Sequence, residues 1–168
     1  IIDVGAKRTG LIIYSGQTIY FTTSIPVCNN SLIQTLSLAL GITQEKAREI
    51  KIKVGLDASH PDGKIFEALR PPLVEMVGKI KVAIDFYHSH CLAMRTAGEK
   101  ISKILLCGGG AAMTGLAGFL SSEMNLPVTI GNPWTKIFPN MTEEILKPPF
   151  NESSAYTFFV CRKRIFRF

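Results

Sequence analysis

Three stretches of this chain carry residue types that chemistry can use, and they lie far apart in sequence. The first is Ile1-Ile2-Asp3-Val4-Gly5, an apolar run that ends in a carboxylate and a glycine. A carboxylate at the end of a buried strand costs free energy unless something pairs with it or hydrates it. Asp3 is therefore expected to cap the turn through the amides of Gly5 or Ala6, or to hold a metal-bound water. The second stretch carries Arg48 and Lys51, which are three apart and so share a helix face. Such a basic pair suits a nucleotide's ribose or phosphate, or else simply faces solvent. The third is Leu105-Leu106-Cys107-Gly108-Gly109-Gly110, an apolar run broken by consecutive glycines. A strand that breaks at glycines and restarts as a helix leaves backbone N–H groups pointing outward. With no Cβ in the way, a ring or a phosphate can lie directly against them. The competing reading is a tight turn that needs glycine only for its dihedral angles. His88 and His90 do not make a zinc site, because positions i and i+2 of a helix point apart and no second ligand cluster accompanies them.

The elements that must position these residues follow from periodicity and punctuation. Residues 1 to 25 read as three strands, Ile1–Val4, Gly10–Tyr14 and Gln17–Ile25, rich in β-branched and aromatic residues. Asn29 or Asn30 can cap a helix over Ser31–Leu40, which stops at Gly41. Thr43 caps a second helix to about Lys53, with Ala47, Ile50 and Val54 as its apolar stripe. After a polar loop from Gly55 to Gly63, a helix is expected near Glu67, broken or restarted by Pro71-Pro72. An amphipathic run then continues from Leu73 to about Met94, with Val77, Ile80, Ile84, Tyr87 and Cys91 on one stripe. The glycine stretch supplies a strand from Ile104 to Cys107 and a helix ending near Met124-Asn125, before a strand over Leu126–Ile130. Beyond Gly131-Asn132-Pro133 the prolines keep the chain largely irregular, apart from a turn at Met141 to Leu146. Ser153-Ser154 is placed to cap a last helix from Ala155.

At 168 residues the chain is long enough to bury a core within one domain of two lobes. Its hydrophobic share of 46% against 19% charged residues describes an apolar globule, of the kind that has one face covered by a partner or by further chain. The net charge of +6 suits anionic ligands or a membrane surface. Much of it lies in Cys161-Arg162-Lys163-Arg164-Ile165-Phe166-Arg167-Phe168, a basic tail that reads as solvated, with a membrane or nucleic-acid foot as the alternative. Four cysteines form no C-x-x-C pair, and three of them, in apolar surroundings, read as buried reduced thiols in a reducing compartment. No charge occurs between Lys103 and Glu123, but five glycines and a turn exclude a spanning helix there. Ile1-Ile2-Asp3 lacks the basic start of a signal peptide, and a strand at the first residue reads as a piece of a longer polypeptide.

Taken together, Ile1-Ile2-Asp3-Val4-Gly5-Ala6-Lys7-Arg8-Thr9, Ala47-Arg48-Glu49-Ile50-Lys51 and Leu105-Leu106-Cys107-Gly108-Gly109-Gly110-Ala111 resemble the second half of the actin-like ATPase superfamily. Within it the order of Ser24-Ile25-Pro26-Val27, Leu69-Arg70-Pro71, Asp85-Phe86-Tyr87-His88 and Gly108 to Leu116 resembles the PilM family. Leu126-Pro127-Val128 followed by Asn132-Pro133 completes that order, and the resemblance covers residues 1 to about 157.

The resemblance implies an α/β, actin-like (ribonuclease H-like) lobe with a mixed sheet, residues 1–42 and 99–160. It also implies a small helical subdomain, 43–98, ahead of the basic tail, 161–168. It implies ATP or ADP with Mg2+ as cofactors. Asp3 would act through a magnesium-bound water, Gly5 would face the phosphates, and Thr9 would give a hydroxyl. Arg48 and Lys51 would contact the ribose, and Gly108, Gly109, Gly110 and Met113 would form the adenosine loop.

The implied role is a cytoplasmic scaffold of type IV pilus assembly, peripheral at the inner membrane. It would be recruited by a PilN-type partner, with self-association open and no nucleic acid bound. At most weak ATPase activity is implied for the whole protein and none for this piece. The first phosphate loop is absent, and Ala6-Lys7-Arg8 stands where stronger ATPases have a glycine-rich turn. The alternatives are an FtsA-like cell-division or type II secretion scaffold, and a sugar or acyl kinase, for which no general base is evident.

Overall fold

In the computed structural model, residues 1–15, 18–56, 63–93 and 100–131 are described. The expected turn at Met141 to Leu146, the helix from Ala155 and the basic tail all lie outside them. The first three strands are β1 (Ile2–Val4), β2 (Thr9–Ser15) and β3 (Thr18–Ile25), joined as an antiparallel meander. Three helices follow: α1 (Asn29–Leu40), α2 (Gln44–Lys53) and α3 (Lys64–Ala93). The chain then re-enters the sheet as β4 (Ile104–Cys107), makes a short 3-10 turn over Gly109–Ala112, and continues through α4 (Leu116–Met124) to β5 (Val128–Ile130).

The sheet order is β3-β2-β1-β4-β5, with β1–β4 and β4–β5 parallel. The expected mixed sheet is therefore present. Its central strand is the one that carries Asp3. β1 and β4 are buried except at half-buried Asp3 and Leu105, as suits strands covered on two faces.

The main hydrophobic core among the described residues is accompanied by a small satellite of Ile13 and Tyr87. It joins Ile2, Val4 and Leu106 of the sheet to Leu32 and Leu36 of α1, Ala47 of α2, Leu69, Met76 and Ile80 of α3, and Leu116 and Leu120 of α4. Residues of the 43–98 range thus share a core with the sheet. Two thiols, Cys28 and Cys107, are buried.

Two expectations are corrected. α3 is one helix from Lys64, and Pro71 and Pro72 lie inside it. Both prolines face away from the core (Pro71 is exposed and Pro72 half-buried), while Leu69, Leu73, Met76 and Val77 are buried on the opposite side. That buried stripe outweighs the lost backbone bonds, which cost about 3 kcal/mol per proline in an unsupported helix. The cap of α1 is Cys28, not Asn29 or Asn30. Ser31 closes it, its hydroxyl donating to the Cys28 carbonyl at 2.8 Å and accepting from the Cys28 amide at 2.9 Å. The asparagines are thereby released for other work. Thr43 caps α2, Gly41 ends α1 at φ +63°, and Asn125 ends α4 at φ +51°, as the punctuation indicated.

Candidate functional site

Parallel β1 and β4 end side by side, with Asp3 in register with Cys107. The loops that follow them, from Gly5 and from Gly108, therefore leave the sheet at one edge. At such an edge, where a central strand has sequence neighbours departing to both sides, α/β proteins place their ligands.

The first loop is a tight turn. The Gly5 amide donates to the backbone oxygens of Asp3 at 3.0 Å and Arg8 at 3.1 Å, so it is not given to the Asp3 carboxylate as a capping role through Gly5 required. A Cβ on Gly5 would stand 2.7 Å from the Arg8 carbonyl, which explains the glycine. Ala6, Lys7 and Arg8 are exposed and set two positive charges at this edge. α1 holds the turn from behind, its Asn29 amide donating to Gly5 O at 3.0 Å and its Asn30 amide to Ala6 O at 3.1 Å. Thr9 is fully buried and its hydroxyl donates to the Val27 carbonyl at 2.7 Å. Its proton is used to join β2 to the segment before α1.

The second loop is pressed against β1. Gly108 has φ +87°, and a Cβ there would lie 2.2 Å from Asp3 Oδ1 and 2.7 Å from Val4 O. At Gly110 it would lie 2.3 Å from Val4 Cγ1. Two of the three glycines are thus required by packing against the central strand. Gly109 between them is half-buried and leaves a strip of bare backbone at the surface of the loop. Met113 is 2% exposed, so its side chain belongs to the core beneath the loop.

α2 is fastened to this same loop. Thr114 Oγ1 donates to Ile52 O at 2.6 Å, the Leu56 amide donates to Thr114 O at 2.9 Å, and Gly55 at φ +55° allows the close approach. Arg48 and Lys51 do not share an environment. Arg48 is exposed, whereas Lys51 is 1% exposed, four residues after buried Ala47 and on the same inward face. The Lys51 ammonium donates to Asn29 Oδ1 at 2.5 Å. Burial first, and then the nearby Arg48 charge, lower its pKa from 10.5 to about 8.

Lys51, Asn29, Gly5, Asp3 and Gly108 therefore form a continuous chain of contacts at one sheet edge. Sequence reasoning missed Asn29 and Thr114. The available signal for Asn29 was a pair of asparagines before a helix that needs only one cap. A cavity of about 230 Å³ lies elsewhere, lined by Ile1, Ile12, Tyr14, Ile84, Tyr87 and Ile101. It is beside the starts of β1 and β4 and holds none of the candidate residues. Charge, carboxylate and bare backbone meet instead at the open edge.

A profile of the family described as type IV pilus assembly protein PilM matches residues 1–158. The cell division protein FtsA of Borreliella burgdorferi is 26% identical over 171 residues, covering 90% of this chain and 40% of that protein. The chain thus spans about two fifths of that relative's length. Among solved structures, a PilM–PilN type IV pilus biogenesis complex superposes with a TM-score of 0.65 at 21% identity, covering 86% of this chain and 39% of that one. MreB 5 of Spiroplasma citri, bound to AMPPNP, gives 0.63 at 19% identity, covering 86% and 53%. These likenesses fix the fold as that of the actin-like ATPases.

Proposed function

The chain belongs to the PilM family of type IV pilus assembly proteins, and we propose that it forms one wall of an ATP-binding cleft in a cytoplasmic scaffold for pilus assembly. The observation that carries this reading is the side-by-side ending of β1 and β4, which sets the Gly108 backbone against the Asp3 carboxylate. A purine needs a flat floor without side chains, and Gly109 flanked by two inward-packed glycines supplies one. Lys51 is the donor for a ribose hydroxyl, and Arg48 extends positive charge to the surface. Asp3 would accept hydrogen bonds from a magnesium-bound water, and the exposed turn after Gly5, with Lys7 and Arg8, would face the phosphates. Bound nucleotide supplies the triphosphate charge and its metal.

Two related structures support the reading in kind: the MreB relative was solved with AMPPNP, and the PilM relative with PilN. A PilN-type inner-membrane protein is accordingly the proposed partner, and membrane association runs through it. Among the described residues no helix is long and apolar enough to cross a membrane. We read the nucleotide as setting conformation and partner affinity more than being turned over. Likeness to FtsA keeps a cell-division scaffold as the second reading.

The test is a titration of the intact protein with fluorescent ATP and Mg2+, beside Gly109→Val and Asp3→Ala. Each variant is expected to bind at least tenfold more weakly. Parental affinity in both would place the nucleotide elsewhere.

A further inference from the structure

We infer that Asn29 is a positioning residue of this cleft, aiming the Lys51 ammonium from a backbone that is itself held by the Gly5 loop. The inference rests on the nucleotide reading above and adds a residue to it. Its grounds are two contacts made by Asn29 and one made by its neighbour Asn30. The Asn29 side chain accepts from Lys51 Nζ. Its amide donates to Gly5 O at 3.0 Å, and its neighbour's amide donates to Ala6 O at 3.1 Å. Capping of α1 does not use the Asn29 side chain, since Cys28 and Ser31 perform it.

The chemistry favours an amide over a carboxylate here. A buried ammonium has three protons to place and is costly to leave without acceptors. Asn29 accepts one and fixes the direction of the others without neutralising the charge. An aspartate would hold the amine equally well but would cancel the charge that draws an anionic ligand.

The same geometry links the two ends of the cleft. Gly5 follows Asp3 at the proposed phosphate end, and Lys51 stands at the proposed ribose end. Movement of the 5–8 turn must carry the Asn29 backbone with it, and the Asn29 side chain carries the amine. Lys51 is thus set by the state of the phosphate loop, although 22 residues separate it from its partner.

Asn29→Ala tests this without dismantling the turn, because the backbone bond to Gly5 remains. The intact protein, Asn29→Ala and Asn29→Asp are titrated with Mg-ATP by calorimetry, and the Lys51 ε-methylene resonance is followed by NMR across pH 6 to 11. Asn29→Ala is expected to bind about tenfold more weakly, with a displaced Lys51 resonance and a loss of stability no larger than that of one buried hydrogen bond. Asn29→Asp is expected to keep Lys51 bonded and to raise its titration midpoint. If the parent binds and Asn29→Ala binds equally well, the positioning role is wrong. Weaker binding with an undisturbed Lys51 resonance would also overturn it, since the loss would then be merely structural. Failure of the parent itself to bind overturns the nucleotide reading, and this inference with it.

Discussion

Gly108→Ala is expected to cost about 3–5 kcal/mol of folding stability, a large share of the total for a domain of this size. Its φ of +87° is unfavourable for any side chain. The new methyl would also stand 2.2 Å from Asp3 Oδ1 and 2.7 Å from Val4 O. The Val4 carbonyl has no room to retreat, because β1 is the central strand and is paired on both sides. Strain and overpacking therefore act together. Urea unfolding of parent and variant measures the difference. Gly118→Ala is the matched control: it lies inside α4 with open space where the Cβ would go, so it is expected to be neutral or stabilising by up to about 1 kcal/mol. A cost below about 1 kcal/mol for Gly108→Ala would mean that the loop does not lie on β1.

Lys51→Met separates stability from binding. Lys51 titrates at about 8 when folded and near 10.5 when unfolded. Between those values the unfolded chain holds more protons, so the Lys51 contribution makes stability rise with pH across that window. Below about pH 8 the folded protein bears a roughly constant penalty, on the order of 3 kcal/mol. Methionine removes the penalty and leaves Asn29 Oδ1 without its donor, which costs about 1–3 kcal/mol. The variant is therefore expected to be as stable as the parent at pH 7, and less stable relative to it by pH 10.5. Nucleotide affinity is expected to fall at least tenfold at every pH. Chemical denaturation at pH 7, 9 and 10.5 checks the first claim, and calorimetric titration the second. A stability difference that stays flat across the window would show that Lys51 is not buried as a charge.

The β-meander, the strand before the glycines, α1, α2 and α4 were legible because each carries a local signal. β-branched and aromatic residues mark β2 and β3, Gly41 and Asn125 mark helix ends, and Thr43 marks a start. The break expected at Pro71-Pro72 was not there, because the energy that holds α3 together lies in tertiary burial of Leu69, Leu73 and Met76. Lys51 read as part of a polar face with Arg48, since spacing alone cannot show that Ala47 and Lys51 turn inward together. Asn29 read as a cap because asparagine usually is one there, whereas Ser31 satisfies the Cys28 backbone instead. Asp3 and the glycine run were singled out from the sequence. That they touch was not readable, because 105 residues of chain and a parallel crossover bring them together.

The central claim is that nucleotide lies across the ends of β1 and β4, with its base on the Gly108–Gly110 backbone. A crystal structure of the intact protein with Mg-AMPPNP tests it most directly. The account predicts the purine stacked on Gly109, a ribose hydroxyl within 3.2 Å of Lys51 Nζ, and a metal-bound water at the Asp3 carboxylate, distances set by ordinary hydrogen-bond geometry, about 2.7–3.2 Å. Nucleotide bound at another edge of the sheet, or none bound at saturating concentration, would contradict it.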